Sequence, residues 1–300
     1  MTRILDLPES EFVLPGNRAC AGCGIGIALR QITAALDGRM VLVNPASCLT
    51  VLGGMHPISS VAGPGVNVAF PSTAASAAGV RAGLKATGRE GEMTVLAMAG
   101  DGGTADIGIQ ALSGAAERNE DFIYLCYDNE AYMNTGTQRS GSTPSGARTT
   151  TTWSGKRENP KDMPAIMEAH SVPYVASTSA AFPDDVFDKV AKAKSIHGLR
   201  YIHMSTPCPS GWGFDPKDTV ALGKLAVDAG LVVLYEVEGR QFRLTGRSKA
   251  LAKAGRKATV ADYVATQARF RGISAETVAS VQAWSDSRWE TFLQRDASGA

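Results

Sequence analysis

Gly100-Asp101-Gly102 closes the apolar run Met93 to Met98, and a second apolar run, Phe122 to Tyr127, ends in Asp128-Asn129. Glycines at the end of a strand let the backbone approach a phosphate closely, and the helix expected next points its free N–H groups and positive dipole end at the anion. Asp101 is then left to take a metal. Mg²⁺ asks for oxygen ligands at ~2.1 Å in octahedral geometry and commonly shares them with cofactor phosphates. Asp101, the amide oxygen of Asn129 and a nearby carbonyl suit that ion, so the pattern reads as a diphosphate-and-magnesium site.

The cysteines are a second chemical set. Cys20-Ala21-Gly22-Cys23 is a C-x-x-C in a glycine-rich turn before a helix, Cys48 follows the first strand, and Cys208 follows the last strand of the core pattern. All four fall on the side of the sheet where Asp101 and Asn129 stand. Such a set can hold a [4Fe–4S] cluster or a structural zinc ion, and spacing alone does not choose. Position favours the cluster, because a redox centre beside an organic cofactor can take electrons from it one at a time, which zinc cannot do. Cys126 lies inside an apolar strand and reads as a packed core thiol. The histidines, His56, His170, His197 and His203, form no metal pair at helical spacing and read as surface or core; His56 is the one to watch, since it follows the Cys48 segment.

These residues need a scaffold, and the chain supplies one. With 300 residues, 44% hydrophobic and 20% charged, it can bury a large core. A formal net charge of +1 gives no footprint for nucleic acid. No apolar stretch reaches bilayer length and no signal-like segment opens the chain, so a cytoplasmic location is expected. Strand-like runs at Met40–Asn44, Met93–Met98, Phe122–Tyr127, Tyr174–Ser177 and Tyr201–Met204 alternate with helix-like stretches at Gly24–Leu36, Thr73–Ala86, Ala105–Arg118, Pro164–His170 and Asp184–Ser195. That alternation predicts an α/β fold, a mostly parallel sheet with helices on both faces. The Ser/Thr/Gly-rich stretch from Gln138 to Gly155 leaves the metal motif directly and reads as an active-site loop. After Trp212 the pattern changes to a helix near Lys217–Ala229, a hairpin around Glu238-Gly239 and two polar helices. The expected division is residues 1–214 as the cofactor-binding α/β domain and 215–300 as a C-terminal helical and hairpin extension for packing or subunit contact.

Taken together, the chain resembles the thiamine-diphosphate-binding beta subunit of the 2-oxoacid:ferredoxin oxidoreductases, the pyruvate synthase type. The resemblance rests on CAGCG at 20–24, the Cys48 segment, AGDGGTADIG at 99–108, YDNEAYMNTGTQRSGSTP at 127–144 and PCPSGWG at 207–213. It extends weakly through LYEVEGRQFRLT at 234–245 and VADYVATQARF at 260–270. It implies that Cys20, Cys23, Cys48 and Cys208 ligate a [4Fe–4S] cluster, and that Asp101, Asn129 and the Ala131 carbonyl ligate Mg²⁺. The family often has threonine where Asn129 stands, and both offer a neutral oxygen. Gly100, Gly102, Gly103 and Thr104 would bind diphosphate through backbone and hydroxyl donors. Asn134, with Thr135 beside it, would lie close to the thiazolium and the substrate carboxylate, although Asn134-Thr135-Gly136 also reads as a simple turn. Gln138, Arg139 and Ser140 either touch the cofactor or cap the loop.

The resemblance further implies oxidative decarboxylation of a 2-oxoacid such as pyruvate, oxalate or phenylglyoxylate. Coenzyme A commonly accepts the acyl group, and electrons pass to ferredoxin or another acceptor. Alpha, gamma and delta type subunits, or fused equivalents, complete the assembly; the alpha type supplies a glutamate for the aminopyrimidine. The alternative is a non-redox thiamine-dependent lyase or ligase with structural zinc. A Rossmann dehydrogenase is disfavoured, since Cys23-Gly24-Ile25-Gly26 does not meet G-x-G-x-x-G.

Overall fold

A computed structural model describes residues 2–55, 57–254 and 258–299 of the chain; His56 lies outside the described residues. Helix α1 (Gly24–Ala35) leads into β1 (Met40–Pro45), followed by α2 (Cys48–Gly53), β2 (Gly65–Val68), α3 (Thr73–Ala86) and β3 (Thr94–Gly100). Next come α4 (Ile109–Glu117), β4 (Ile123–Asp128), α5 (Met163–Ala169), β5 (Tyr174–Ser179), α6 (Pro183–Lys194), β6 (Arg200–Ser205) and α7 (Pro209–Trp212). The chain finishes with α8 (Thr219–Asp228), β7 (Tyr235–Glu238), β8 (Gln241–Leu244), α9 (Gly246–Ala254), α10 (Val260–Val264) and α11 (Ala275–Ser298).

The strands form one 8-stranded sheet in the order β2-β1-β3-β4-β6-β5-β7-β8. The first six strands are parallel, and β7 and β8 join antiparallel at the β5 edge. Both faces of the central strands are covered, which explains why they read as continuous apolar runs rather than alternating ones. Leu96, Met98, Ile123, Leu125 and Tyr127 face the layer of α1, α2 and α6. Val95, Ala97, Ala99, Phe122, Tyr124 and Cys126 face α3, α4, α5 and α11. Cys126 is therefore a buried core thiol on the layer opposite the one that Cys23 and Cys48 pack against.

The predicted helix over Ala105–Arg118 starts later than its pattern implied. A π-helical turn spans Gly102–Asp106, with the Ile107 N–H donating to the Gly102 carbonyl at 3.2 Å, before α4 begins at Ile109. Such wide turns recur at functional sites. Here three glycines allow it: Gly108 packs directly on the Gly103 carbonyl, and a Cβ on Gly102 would stand 2.5 Å from the Tyr132 ring. The short β2, α2 and α7 had no sequence expectation; β2 is an exposed edge of only 4 residues.

The hairpin expected around Glu238-Gly239 is present. Gly239 (φ 55°) and Arg240 (φ 71°) are both left-handed, the condition of the two-residue turn that matches strand twist. Phe292 of α11 stacks on Phe242 of β8 at 5.5 Å and tilts against Tyr235 at 5.1 Å, contacts worth about 0.5–1.5 kcal/mol each beyond area burial. The buried Lys189 of α6 donates to Asp185 at 2.6 Å and to Thr245 at 2.9 Å, tying the hairpin to the parallel core. No helix among the described residues is long and apolar enough to cross a membrane.

Candidate functional site

Strands β1 and β3 are neighbours whose onward connections leave in opposite directions, β1 toward β2 and β3 toward β4. In open parallel sheets the crevice at such a switch point, beyond the carboxyl ends of the strands, is where ligands bind. A cleft occupies it, lined by Ala46-Ser47-Cys48 after β1, Gly100 to Gly103 at the end of β3, and Asn129 with Ala131 to Thr135 after β4, together with Phe70 and Tyr127.

Asp101 is only 1% exposed at its base. The Asn129 side-chain amide lies 3.1 Å from Asp101 Oδ1 and 3.0 Å from the Ala131 carbonyl oxygen, and with its nitrogen on that side it donates to both. The same amide, turned to present its oxygen, would give a cation three oxygens from Asp101, Asn129 and Ala131. In an octahedron with metal–oxygen distances of ~2.1 Å, neighbouring ligands lie ~3.0 Å apart, so the spacing fits Mg²⁺. Burial raises the Asp101 carboxyl well above its usual range, and the nearby Asp128 charge raises it further, against the opposing 2.5 Å hydrogen bond from the Ser140 hydroxyl. A cation would relieve both effects.

The chain fixes this turn from several directions. Glu130, between the two β4 oxygen donors, is left-handed (φ 68°), a conformation that non-glycine residues hold only under outside constraint. Asp128 Oδ1 accepts its N–H at 2.8 Å, the Thr143 hydroxyl donates to its carbonyl at 2.7 Å, and Arg269 pairs with its carboxylate at 2.5 Å. Arg269 in turn lies 3.9 Å over the Trp212 ring, whose indole N–H donates to the Asn129 carbonyl at 2.8 Å. Asp128 Oδ2 is held by His203 Nε2 at 2.8 Å. None of Trp212, Arg269 and His203 was a sequence candidate; the PCPSGW block and the ARF of the tail carried the only signal. Substituting Trp212 with Phe is expected to keep the ring and weaken Mg²⁺ binding roughly tenfold, by analogy with other outer partners of metal ligands. A Mg²⁺ titration showing wild-type affinity would refute that.

Of the remaining sequence candidates, Gly100, Gly102, Gly103, Asn134 and Thr135 line the cleft. Asn134 and Thr135 lie in an exposed turn at its rim, so the turn reading and the cleft reading both describe them. The Thr104 hydroxyl points inward instead, donating to the Gly100 carbonyl at 2.8 Å, and Thr104 is fully buried outside the cleft lining. Gln138 caps the loop through Thr135, with contacts of 2.5 and 2.8 Å, and Arg139 pairs with Glu158 at 3.0 Å. Only Ser140 of that trio reaches the metal motif. Tyr127, Tyr132, Phe70 and Met133 shape the cleft without having announced themselves in the sequence.

Cys48 lines the cleft, and Cys20, Cys23 and Cys208 lie within electrostatic reach of it. Burial pushes the Cys48 thiol up to about 12, and charges on Cys208, Cys23, Cys20 and Asp101 add to the rise. Burial also raises Cys23 and Cys208, opposed by N–H groups of Gly26 and Ile25 at the former and of Gly211 and Ser210 at the latter. The C-x-x-C turn is docked by the Thr219 hydroxyl, which donates to the Gly22 carbonyl at 2.7 Å, and Gly24 packs on Pro207. Thiols that raise one another's pKa lose their protons together when a metal centre binds. Among the described residues, no three His, Cys, Asp or Glu side chains are grouped as a single metal ion requires.

Comparisons with known proteins identify the family and the fold. Residues 48–204 match the thiamine pyrophosphate enzyme family, C-terminal TPP binding domain. The chain is 49% identical to pyruvate synthase subunit PorB of Methanothermobacter marburgensis, covering 94% of this chain and 98% of that one. It is 39% identical to ketoisovalerate oxidoreductase subunit VorB of Pyrococcus horikoshii, over 95% and 94% of the two chains. Among solved structures, 2-oxoglutarate:ferredoxin oxidoreductase from Magnetococcus marinus shares the fold, with a TM-score of 0.57 at 20% identity over 72% of this chain and 78% of that one. The chain therefore belongs to the thiamine-diphosphate-binding beta subunits of the 2-oxoacid:ferredoxin oxidoreductase family.

Proposed function

We propose that this chain binds thiamine diphosphate with Mg²⁺ in the β1/β3 cleft and a [4Fe–4S] cluster on Cys20, Cys23, Cys48 and Cys208, within a pyruvate-type 2-oxoacid oxidoreductase of the cytoplasm. The observation that carries the reading is the grouping of Asp101, the Asn129 amide and the Ala131 carbonyl in one cleft that Cys48 also lines. A cube of four irons takes one thiolate per iron, so it suits a set wider than the tetrahedron around a zinc ion. Pyruvate is the favoured substrate because relatives named pyruvate synthase subunit PorB reach 49% identity.

When bound, thiamine diphosphate supplies the carbanion chemistry that 2-oxoacid decarboxylation needs. The chain's own residues position it. Gly102 and Gly103 leave room for the diphosphate against their N–H groups, and Asp101, Asn129 and Ala131 tie it down through the metal. Asn134 and Thr135, at the rim, face the side where a substrate carboxylate would enter. The thiols of Cys20, Cys23, Cys48 and Cys208 would hold the cluster, which would supply one-electron chemistry there. Residues 1–214 form the cofactor-bearing part, and 215–300 brace it and contact other subunits. The cleft is open at the Asn134 rim, and we assign its completion to an alpha type subunit, with gamma and delta types, coenzyme A and ferredoxin as the further partners.

The test is anaerobic purification of the native assembly, with iron, sulfide, zinc and thiamine quantified and an EPR spectrum recorded after adding pyruvate. Iron and sulfide with bound thiamine and a pyruvate-induced signal are expected. Zinc without iron would overturn the electron-transfer reading.

A further inference from the structure

Asp106 ends the π-helical turn that begins at Gly102, and both of its carboxylate oxygens are engaged. Oδ2 accepts from the Tyr132 hydroxyl at 3.0 Å and from the Gly141 N–H at 2.9 Å, and Oδ1 accepts from Lys161 Nζ at 2.8 Å. Lys161 Nζ also donates to the Ala105 carbonyl at 2.6 Å, and the Lys161 N–H donates to the Gly141 carbonyl at 3.0 Å. The donors come from three separate segments: the turn after β4, the Ser/Thr/Gly-rich loop and the stretch just ahead of α5. Asp106 itself does not line the cleft.

Two of the groups it holds do shape the cofactor site. The Tyr132 ring lies against Gly102 and tilts on Phe70 at 5.9 Å, and Phe70 stands 3.3 Å from where a Cβ on Gly103 would be. The two rings thus form one wall over the two glycines of the wide turn. Gly141 follows Ser140, whose hydroxyl donates to Asp101 Oδ2 at 2.5 Å. A Cβ on Gly141 would stand 2.6 Å from Asp106 Oδ1 and 2.9 Å from Lys161, so the loop comes this close only with glycine. The buried Lys156 fixes the loop from its other side, donating from Nζ to the Gly141 carbonyl at 3.0 Å and to the Thr143 carbonyl at 2.7 Å.

We infer that Asp106 is a positioning residue for the cofactor: its carboxylate latches the Tyr132 wall and the Ser140 loop to the wide turn, so that the cleft is formed before thiamine diphosphate arrives. The inference rests on the cofactor assignment above. Ordering a wall and a loop at the moment of binding costs affinity, and fixing them beforehand removes that cost. A carboxylate suits the task because it only accepts and has room for three donors, whereas an amide would turn an N–H group on one of them. Asp106 acts through Tyr132 and Ser140 and touches neither cofactor nor substrate.

The experiment titrates thiamine diphosphate, at saturating Mg²⁺, into the anaerobic assembly depleted of that cofactor. Wild type, Asp106→Asn, Tyr132→Phe and the double variant are compared, with pyruvate oxidation followed at each cofactor concentration and melting recorded on each assembly. Asp106→Asn is expected to raise the apparent KM for thiamine diphosphate about 10–100-fold, the range seen for outer partners of metal ligands. Its kcat at saturating cofactor is expected to fall by less than about threefold, since the latch acts on binding and not on the reacting atoms. Tyr132→Phe is expected to raise the same KM about fivefold, the scale of one hydrogen bond. The double variant should lose less than the two single losses combined, because the phenol acts through the carboxylate. An unchanged KM in Asp106→Asn, whether or not kcat or the melting temperature falls, would overturn the inference, and so would fully additive losses. Should Asp106→Asn fail to assemble, Tyr132→Phe tests the same bond from its other end, and a wild-type KM there is the refuting result. Failure of the wild-type assembly to take up thiamine diphosphate would overturn the cofactor assignment, and this inference with it.

Discussion

Asp101→Asn is expected to abolish thiamine diphosphate binding while leaving the metal-free chain at least as stable as the wild type. The substitution preserves shape but removes the one formal negative charge among the three facing oxygens. Outer partners of metal ligands typically account for 10–100-fold in affinity, so loss of a charged ligand should exceed about 100-fold. Stability moves the other way because the Asp101 carboxylate is desolvated and lies near the Asp128 charge. A neutral amide escapes both penalties and can still accept from Ser140. Calorimetric titration with Mg²⁺ and thiamine diphosphate, together with melting of the apo protein, measures both halves. Wild-type binding would remove Asp101 from the metal site, and a sharply lowered melting temperature would show that the carboxylate is a structural group instead.

Cys48→Ser should separate the two cofactors. Serine is a poor ligand for iron at a site built from thiols, and Cys48 is the thiol on which the other three all act. Iron and sulfide are expected to be lost, and acceptor reduction to fall at least about 100-fold, while thiamine diphosphate affinity changes by no more than about threefold, the ordinary scale of a single weak neighbouring contact. The second half follows from where the metal turn comes from. Its oxygens are supplied after β3 and β4, and its braces, Trp212 and Arg269, stand elsewhere than on the Cys48 helix. Elemental analysis and a redox assay on the same preparation decide the matter. Full iron content in the variant would exclude Cys48 as a ligand. Loss of thiamine binding along with iron would show that the two sites are one cooperative unit.

Both predictions lean on residues whose types and spacing are legible in the amino-acid chain itself. The sheet is legible because its central strands are buried on both faces and so read as unbroken apolar runs, and the helices between them because each keeps an apolar stripe. Gly100-Asp101-Gly102 and Asn129 are legible because a close backbone approach and an oxygen-ligated cation restrict residue type within a few positions of a strand end. The four cysteines are legible as a set, since thiols placed at strand ends and helix starts of one sheet must share a side.

The tertiary structure decided what depends on contacts between distant segments. The π-helical turn after Asp101 arises because Gly108 packs on Gly103 and Tyr132 lies over Gly102, neither of which periodicity records. Whether Thr104 turns its hydroxyl to a phosphate or to the Gly100 carbonyl is a matter of side-chain rotation in a packed layer. Trp212, Arg269 and His203 brace the metal turn across long stretches of sequence, and an indole or a guanidinium bears no mark of the carbonyl or carboxylate it will meet. The sequence by itself thus determined the fold, through local periodicity, and the thiamine-diphosphate family, through the likeness of its motifs. Only the folded chain decided which groups come together and which hydroxyls are satisfied, because partnership and burial are properties of three-dimensional packing.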